Sequence, residues 1–246
     1  MRRSQRVPGL VLLVVLVTAT ALVVQLARRA RRADVAPAPT CTGGPTTPGI
    51  DVSYHQDRID WLKVRRAGVV FAFIRVSDGL TFEDPRFVAN WSAAREVGIV
   101  RGAYQYFRPE ESATAQADRL IAALAHDRGE LPPAIDVEET GGLRPEQVAI
   151  GVRTWVDRVR SRLGVEPIVY TSPAFWRDAV GADDLGIQPL WLAHYTDECP
   201  RIPAPWTAWQ FWQRSKLGRV PGIRGDVDLN VFAGSPEQLR TVGTRR

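Results

Sequence analysis

Apolar residues are arranged along this chain in two ways. From Leu10 to Leu26 they form one nearly unbroken run, interrupted by Thr18, Thr20 and Gln25. As a helix this run would extend about 25 Å, near the lower limit for crossing a bilayer. Beyond residue 48 the apolar positions come instead as short β-rich runs, at 49–53, 69–76, 99–107, 134–138, 167–171, 189–195, 207–212 and 226–229. Helices are predicted between the earlier runs, over 59–67, 85–97, 112–126, 145–163 and 173–180. Asp84 is placed to cap the second of these and Gly98 to stop it; Pro145 and Gly164 bracket the fourth, and Ser172 fits as a cap for the fifth. Strand–helix alternation predicts an α/β fold with a mostly parallel sheet, and eight strands in this length point to a barrel. The last three runs lack intervening helices, so the C-terminal third is expected to use loops or hairpins.

Charge clarifies the first segment. Arg2, Arg3 and Arg6 precede the apolar run, and Arg28, Arg29, Arg31 and Arg32 follow it. A basic start and an apolar centre read as an export signal. Ala19-Thr20-Ala21 fits a cleavage pattern but lies inside the run, which favours a retained signal-anchor over a cleaved signal. Residues 1–34 are therefore read as signal peptide or signal-anchor, 35–48 as a Pro-rich linker, 49–239 as one globular domain and 240–246 as a tail. An exported protein is expected, secreted or held on the outer face of the cytoplasmic membrane. The formal net charge of +5 belongs to the leader: residues 1–34 hold seven arginines and one acid, leaving 25 basic and 26 acidic side chains for the rest. The folded part therefore offers no electrostatic case for nucleic acid as a partner.

Composition narrows the chemistry. Apolar residues at 45% and charged residues at 24% describe an ordinary globular chain. Two cysteines exclude a disulfide-rich scaffold and a four-cysteine zinc site, and three histidines, His55, His126 and His194, leave little for a histidine-based metal site. Eight tryptophans and five tyrosines suit a large core or a sugar-binding cleft.

In parallel barrels chemistry gathers at the C-terminal ends of the strands. Four acids fall there: Asp51, Asp136, Glu138 and Asp228. Strand side chains alternate, so Asp136 and Glu138 point to one face with Cα atoms roughly 7 Å apart. Burial and mutual repulsion raise the pKa of at least one of them. A protonated carboxyl beside an ionised one is the equipment of glycosidic bond cleavage. A hard-cation site is the other reading of clustered acids, though no calcium-loop spacing is present. Aromatic residues lie close to these positions: Tyr54, Tyr104, Tyr106, Tyr170, Trp191, Tyr195, Trp209 and Trp212, with Gln210 between the last two. Exposed rings stack on sugars, and about half of these rings are expected to be core.

Several stretches together resemble glycoside hydrolase family 25, the lysozyme or N-acetylmuramidase family. They are Gly49-Ile50-Asp51-Val52-Ser53-Tyr54-His55-Gln56, Ile59-Asp60-Trp61, Asp84-Pro85-x-Phe87-x-x-Asn90, Gly102-Ala103-Tyr104, Asp136-Val137-Glu138, Ile168-Val169-Tyr170-Thr171, Pro189-Leu190-Trp191-Leu192-Ala193-x-Tyr195, Trp209-Gln210 and Val227-Asp228-Leu229-Asn230. The resemblance spans 49–234 and rests on the number and order of the motifs. It implies an irregular, flattened β/α barrel that hydrolyses the β-1,4 bond between N-acetylmuramic acid and N-acetylglucosamine in peptidoglycan. It makes Glu138 the general acid/base, Asp136 the acid that orients or stabilises the reacting acetamido group or otherwise the oxocarbenium-like state, and Asp51 and Asp228 the two other cleft acids. Substrate contacts are expected from Tyr54, Tyr104, Tyr106, Tyr170, Trp191, Tyr195 and Gln210.

The resemblance implies no cofactor or metal, and a monomer is expected. Two stretches depart from the family pattern, Arg75-Val76-Ser77-Asp78-Gly79 and Gln105. Neither removes a carboxylate, and both bear on substrate contacts. His55 is read as a supporting or surface residue, and His126 and His194 as structural or exposed. In an oxidising compartment Cys41 and Cys199 are expected to pair; two free thiols are the alternative. Rival functions are a silent glycan-binding module, a glycosidase on another amino-sugar polymer such as chitin, and a metal-dependent phosphodiesterase.

Overall fold

A computed structural model describes Cys41 and residues 43–242. The apolar run at 10–26, most of the linker and the last four residues lie outside the described residues. The strands are β1 (Thr47–Val52), β2 (Phe71–Asp78), β3 (Phe82–Glu83), β4 (Val100–Tyr106), β5 (Ala134–Asp136), β6 (Ile168–Thr171), β7 (Leu190–Ala193), β8 (Phe211–Gly218) and β9 (Val227–Phe232). The helices are α1 (Trp61–Arg66), α2 (Phe87–Glu96), α3 (Ala113–Ala123), α4 (Pro145–Leu163), α5 (Pro173–Ala179) and α6 (Pro236–Leu239). The sheet order is β1-β9-β8-β7-β6-β5-β4-β2-β3, and β1 also pairs with β2, so eight strands close into a barrel with β3 as a flap on β2. Neighbours from β1 through β2, β4, β5, β6 and β7 to β8 are parallel; β9 is antiparallel to both β8 and β1. The expected barrel is present, and its C-terminal third is irregular because loop 194–210 replaces a crossover helix.

Alternation along each strand sorts the core into two layers. Ile50, Ala72, Ile74, Val137 and Trp212 face outward under the helices, where Trp155 and Trp176 fill the layer. Phe71, Phe73, Tyr104, Tyr170, Trp191 and Phe211 face inward. Both faces of the first half of β2 are therefore dry, which is why that half, FAFI, is apolar throughout, while Arg75 and Asp78 further on reach the cavity. The inward rings form a plug: Phe73 stacks on Trp191 at 4.2 Å and meets Phe211 edge-on at 5.1 Å. Glycines make the room. A Cβ on Gly49 would sit 2.4 Å from the Phe71 ring, and one on Gly102 would sit 2.4 Å from Phe73.

Local signals set several element ends. α4 opens on Pro145 and stops at Gly164, which takes φ 70° in the left-handed region that favours glycine. Ser172 caps α5 by accepting from Phe175 N at 3.2 Å. Two expectations are adjusted. The second predicted helix starts at Phe87, and Asp84 serves both its first turn and the barrel: Oδ1 accepts from Arg86 N at 2.9 Å and Oδ2 from Arg75 Nε at 3.1 Å. The run at 207–212 is not a strand until Phe211, because Thr207–Gln210 belong to the end of the long loop. Cys41 and Cys199 are bonded, with Cα atoms 5.3 Å apart and 158 positions between them in sequence. Closing a loop of that length restricts the unfolded chain and favours the fold by a few kcal/mol. Gly102→Ala tests the plug directly. Its methyl meets a ring already wedged by Trp191 and Phe211, so urea unfolding should show a loss of about 1–3 kcal/mol.

Candidate active site

The aromatic plug fills the barrel up to the C-terminal ends of its parallel strands, and above it opens a cavity of about 380 Å³. The four expected acids all line it. Asp51 and Asp228 are direct cross-strand partners in the antiparallel β1–β9 pair. Asp136 ends β5, opposite Tyr106 on β4 and Tyr170 on β6. Glu138 stands two residues further, beyond the strand. Val137 N donates to Tyr170 O at 2.9 Å and Phe107 N donates to Asp136 O at 2.9 Å, so the chain stays extended past the strand end. Val137 is buried outward and both carboxylates turn to the cavity.

Asp51 is the most firmly held of the four. Its Oδ2 accepts from Gln213 Nε2 at 2.8 Å and from Asn230 Nδ2 at 2.7 Å. The Gln213 Oε1 accepts from the hydroxyls of Tyr170 and Tyr195, each at 2.9 Å, and the Asn230 Oδ1 accepts from Trp191 Nε1 at 2.7 Å. Burial pushes Asp51 up to about 6, opposed by the hydrogen bonds from Gln213 and Asn230. Burial, then the charges of Asp51 and Glu138, push Asp228 up to about 8. Asp136 is raised well above the usual carboxylate range by burial and by the charges of Glu138 and Asp51. Its Oδ1 is buried and has no hydrogen-bond partner among the described residues. Glu138 is raised by the surrounding walls first and then by the charges of Asp51 and Glu139. The site thus holds carboxyls driven toward their protonated forms beside others that ionise more readily, the arrangement of general acid catalysis.

The family model for "Glycosyl hydrolases family 25" matches residues 50–223. The chain belongs to glycosyl hydrolase family 25. Among relatives of this family 25 chain, the protein YegX of Escherichia coli K12 is 40% identical over 200 residues, covering 79% of this chain and 72% of that one. Lysozyme M1 of Streptomyces globisporus is 36% identical over 203 residues, covering 78% and 69%. The crystal structure of the bacterial lysozyme from Streptomyces coelicolor superposes with a TM-score of 0.75 at 34% identity, covering 82% of this chain and 98% of that one.

Within this family 25 site the expected aromatic residues divide. Tyr104, Tyr106, Tyr170, Trp191 and Tyr195 line the cavity. Trp191 is only 1% exposed and serves as floor, while Tyr195 is 49% exposed on the rim. Tyr54 stands beside the mouth, against His55, Phe82 and the Arg75 guanidinium. His55 reaches the cavity wall. Gln210 is a correction: it precedes β8 at the opposite end of the barrel, near Pro132, Pro189 and Ala233. The residue that does reach the acids from β8 is Gln213, which shares the inward face of Phe211. A strand boundary set too early concealed it.

The two departures from the family pattern also divide. Gln105 points away from the cavity and bridges Ser77 Oγ and Trp155 Nε1, each at 2.7 Å, so it is no substrate contact. Arg75 follows Phe71 and Phe73 on the inward face and donates to Asp84 at 3.1 Å. Asp78 receives Arg108 at 2.5 and 2.8 Å, and Arg108 also reaches Glu139 at 2.6 Å and covers the Tyr106 ring. Arg75, Asp78 and Arg108 line the cavity, and of these three only the last carried no sequence signal.

The raised carboxyls make stability depend on pH. Asp51 and Asp228 start from an ordinary value of 3.8 and rise to about 6 and about 8, so ionising them costs the folded state. Their contribution to stability is complete below pH 4 and is lost as pH rises through 6 to 8. Asp228→Asn should therefore raise the calorimetric Tm by a few degrees at pH 8 and much less at pH 4.

Proposed function

We propose that the protein is a muramidase that hydrolyses the β-1,4 bond between N-acetylmuramic acid and N-acetylglucosamine in peptidoglycan. Family membership and the likeness to lysozymes support that substrate. The observation that carries the chemistry is the unpartnered, buried Oδ1 of Asp136 beside Glu138. A buried acceptor without a donor is costly, and a substrate N–H relieves that cost on binding. Asp136 accepts the acetamido N–H of the sugar and so turns the acetamido oxygen toward the anomeric carbon. Glu138 protonates the departing glycosidic oxygen. The acetamido oxygen attacks as that bond breaks, and Glu138 then takes a proton from the water that opens the cyclic intermediate.

Two carboxyls on one strand approach the sugar from one side, which supports substrate assistance over a scheme that places them on opposite faces. Asp51 keeps negative charge, and Asp228 hydrogen-bonding capacity, close to the developing positive charge on the sugar. The apolar run at 10–26, its flanking arginines and the disulfide support export, with the enzyme held at the outer face of the membrane and working on wall within reach of the linker.

Glu138→Gln preserves size and hydrogen bonding while removing the transferable proton. Clearing of purified peptidoglycan should fall by about 10²–10⁴-fold. Muramic acid should appear at the new reducing ends made by the wild type. Full activity in Glu138→Gln, or new ends of glucosamine type, would remove this assignment.

A further inference from the structure

The four acids leave a larger cavity beside them unexplained. It has a volume of about 890 Å³ and meets the catalytic cavity at Glu138, Tyr170 and Tyr195. Its walls are the first residues of α5 and the loop after β7. Charge changes sign across Glu138. On the catalytic side stand Asp51, Asp78, Asp136 and Asp228; Arg75 and Arg108 there are already engaged by carboxylates, and Lys216 lies over the Tyr195 ring, so the acids outnumber the cations. On the other side Glu138 is the only carboxylate among the described residues, and Arg177, Arg201 and His194 line the wall with apolar Phe175 and Ile202.

The basic groups are held in place yet keep donors free. Arg201 N donates to His194 Nδ1 at 3.2 Å, and the His194 carbonyl accepts from Trp212 Nε1 at 2.7 Å. Cys199, two residues before Arg201, is tied to Cys41. The Arg201 guanidinium has no ion-pair partner among the described residues. Arg177 gives Nε and Nη2 to Asp178, an exposed pair that water weakens, and retains Nη1. Because Nδ1 of His194 accepts, its Nε2 carries the proton and is a further donor.

We propose that this second cavity takes the anionic peptide carried by muramic acid units of peptidoglycan, with Arg201 as its main carboxylate contact and Arg177 as the second. The proposal rests on the muramidase reading. A guanidinium fork matches a carboxylate in two places, and the apolar wall suits small peptide side chains. A strand stripped of peptide keeps only the short lactyl carboxylate of muramic acid and offers nothing to the apolar wall. The enzyme is thereby built for peptide-bearing strands, with sugar recognition on the acidic side of Glu138 and peptide recognition on the basic side.

The test compares kcat/KM of the full-length chain on glycan strands bearing their peptides and on the same strands stripped by an amidase. Wild type should prefer the peptide-bearing strands by roughly ten- to hundredfold, the worth of a charge-assisted contact. Arg201→Gln should abolish most of that ratio, Arg177→Gln part of it, and Arg201→Lys should keep more of it than Arg201→Gln. Arg201 is exposed, so the fold is not at stake, and an unchanged Tm confirms this for each variant. Equal wild-type rates on the two strands, or a full preference in Arg201→Gln, would overturn the proposal. Failure of the wild type on both strands would overturn the muramidase reading itself.

Discussion

The carboxylate of Asp51 is the point on which the site is hung. It is buried between parallel β2 and antiparallel β9 and faces Asp228 across the β1–β9 pair. Two like charges placed directly opposite destabilise a sheet unless something takes them up. Gln213 and Asn230 do so from β8 and β9, and each spends its other side-chain atom on an aromatic neighbour. One acid thereby fixes Gln213, Tyr170, Tyr195, Asn230 and Trp191. Those residues come from four more strands and the loop after β7, so the geometry of the cleft is set by barrel closure. The network is polar, buried and fully connected at Asp51, the condition under which such networks rigidify a site.

Beneath it the aromatic plug supplies the complementary half. Phe73, Trp191 and Phe211 exclude water from below, and the absence of water is what drives the acids upward in pKa. Stability and chemistry are opposed here: the desolvation that readies carboxyls for proton transfer also disfavours the folded state once they ionise. The outward layer, with Trp155 and Trp176 under the helices, carries no such conflict and provides ordinary apolar burial. Polarity is also divided laterally. Near the catalytic acids Arg75 and Arg108 are held by carboxylates and Lys216 lies over the Tyr195 ring, whereas Arg177 and Arg201 stand beyond Glu138. The cleft therefore has direction along the substrate as well as depth.

Much of this was legible from alternation alone. Period-two patterning put Asp136 and Glu138 on one face, put Tyr104 with Tyr106, and located Asp51 and Asp228 at strand positions. Capping residues marked α4 and α5 because those signals are local. Legibility ended where a side chain's partner lies far away in sequence. Asp84 has the spacing of a helix cap and does accept from Arg86 N, but no local pattern shows that its other oxygen holds a buried arginine on β2. Gln210 sits beside two tryptophans in an apparent strand, whereas pairing with β7 begins only at Phe211. That shift moved the functional amide from Gln213 to the wrong end of the barrel. Gln105 lies between two inward tyrosines and therefore faces out.

The amino-acid sequence by itself determined which positions alternate, where helices start and stop, and which four carboxylates fall at strand ends. These depend on neighbours within a few residues. Tertiary structure alone decided which acids share a cavity, how far burial perturbs each, and which of two nearby amides holds Asp51. It also decided that a basic cavity adjoins the acidic one. Those properties arise from closing the sheet, which brings together residues such as Asp51 and Asn230 that no local pattern relates, and from the water that closure removes.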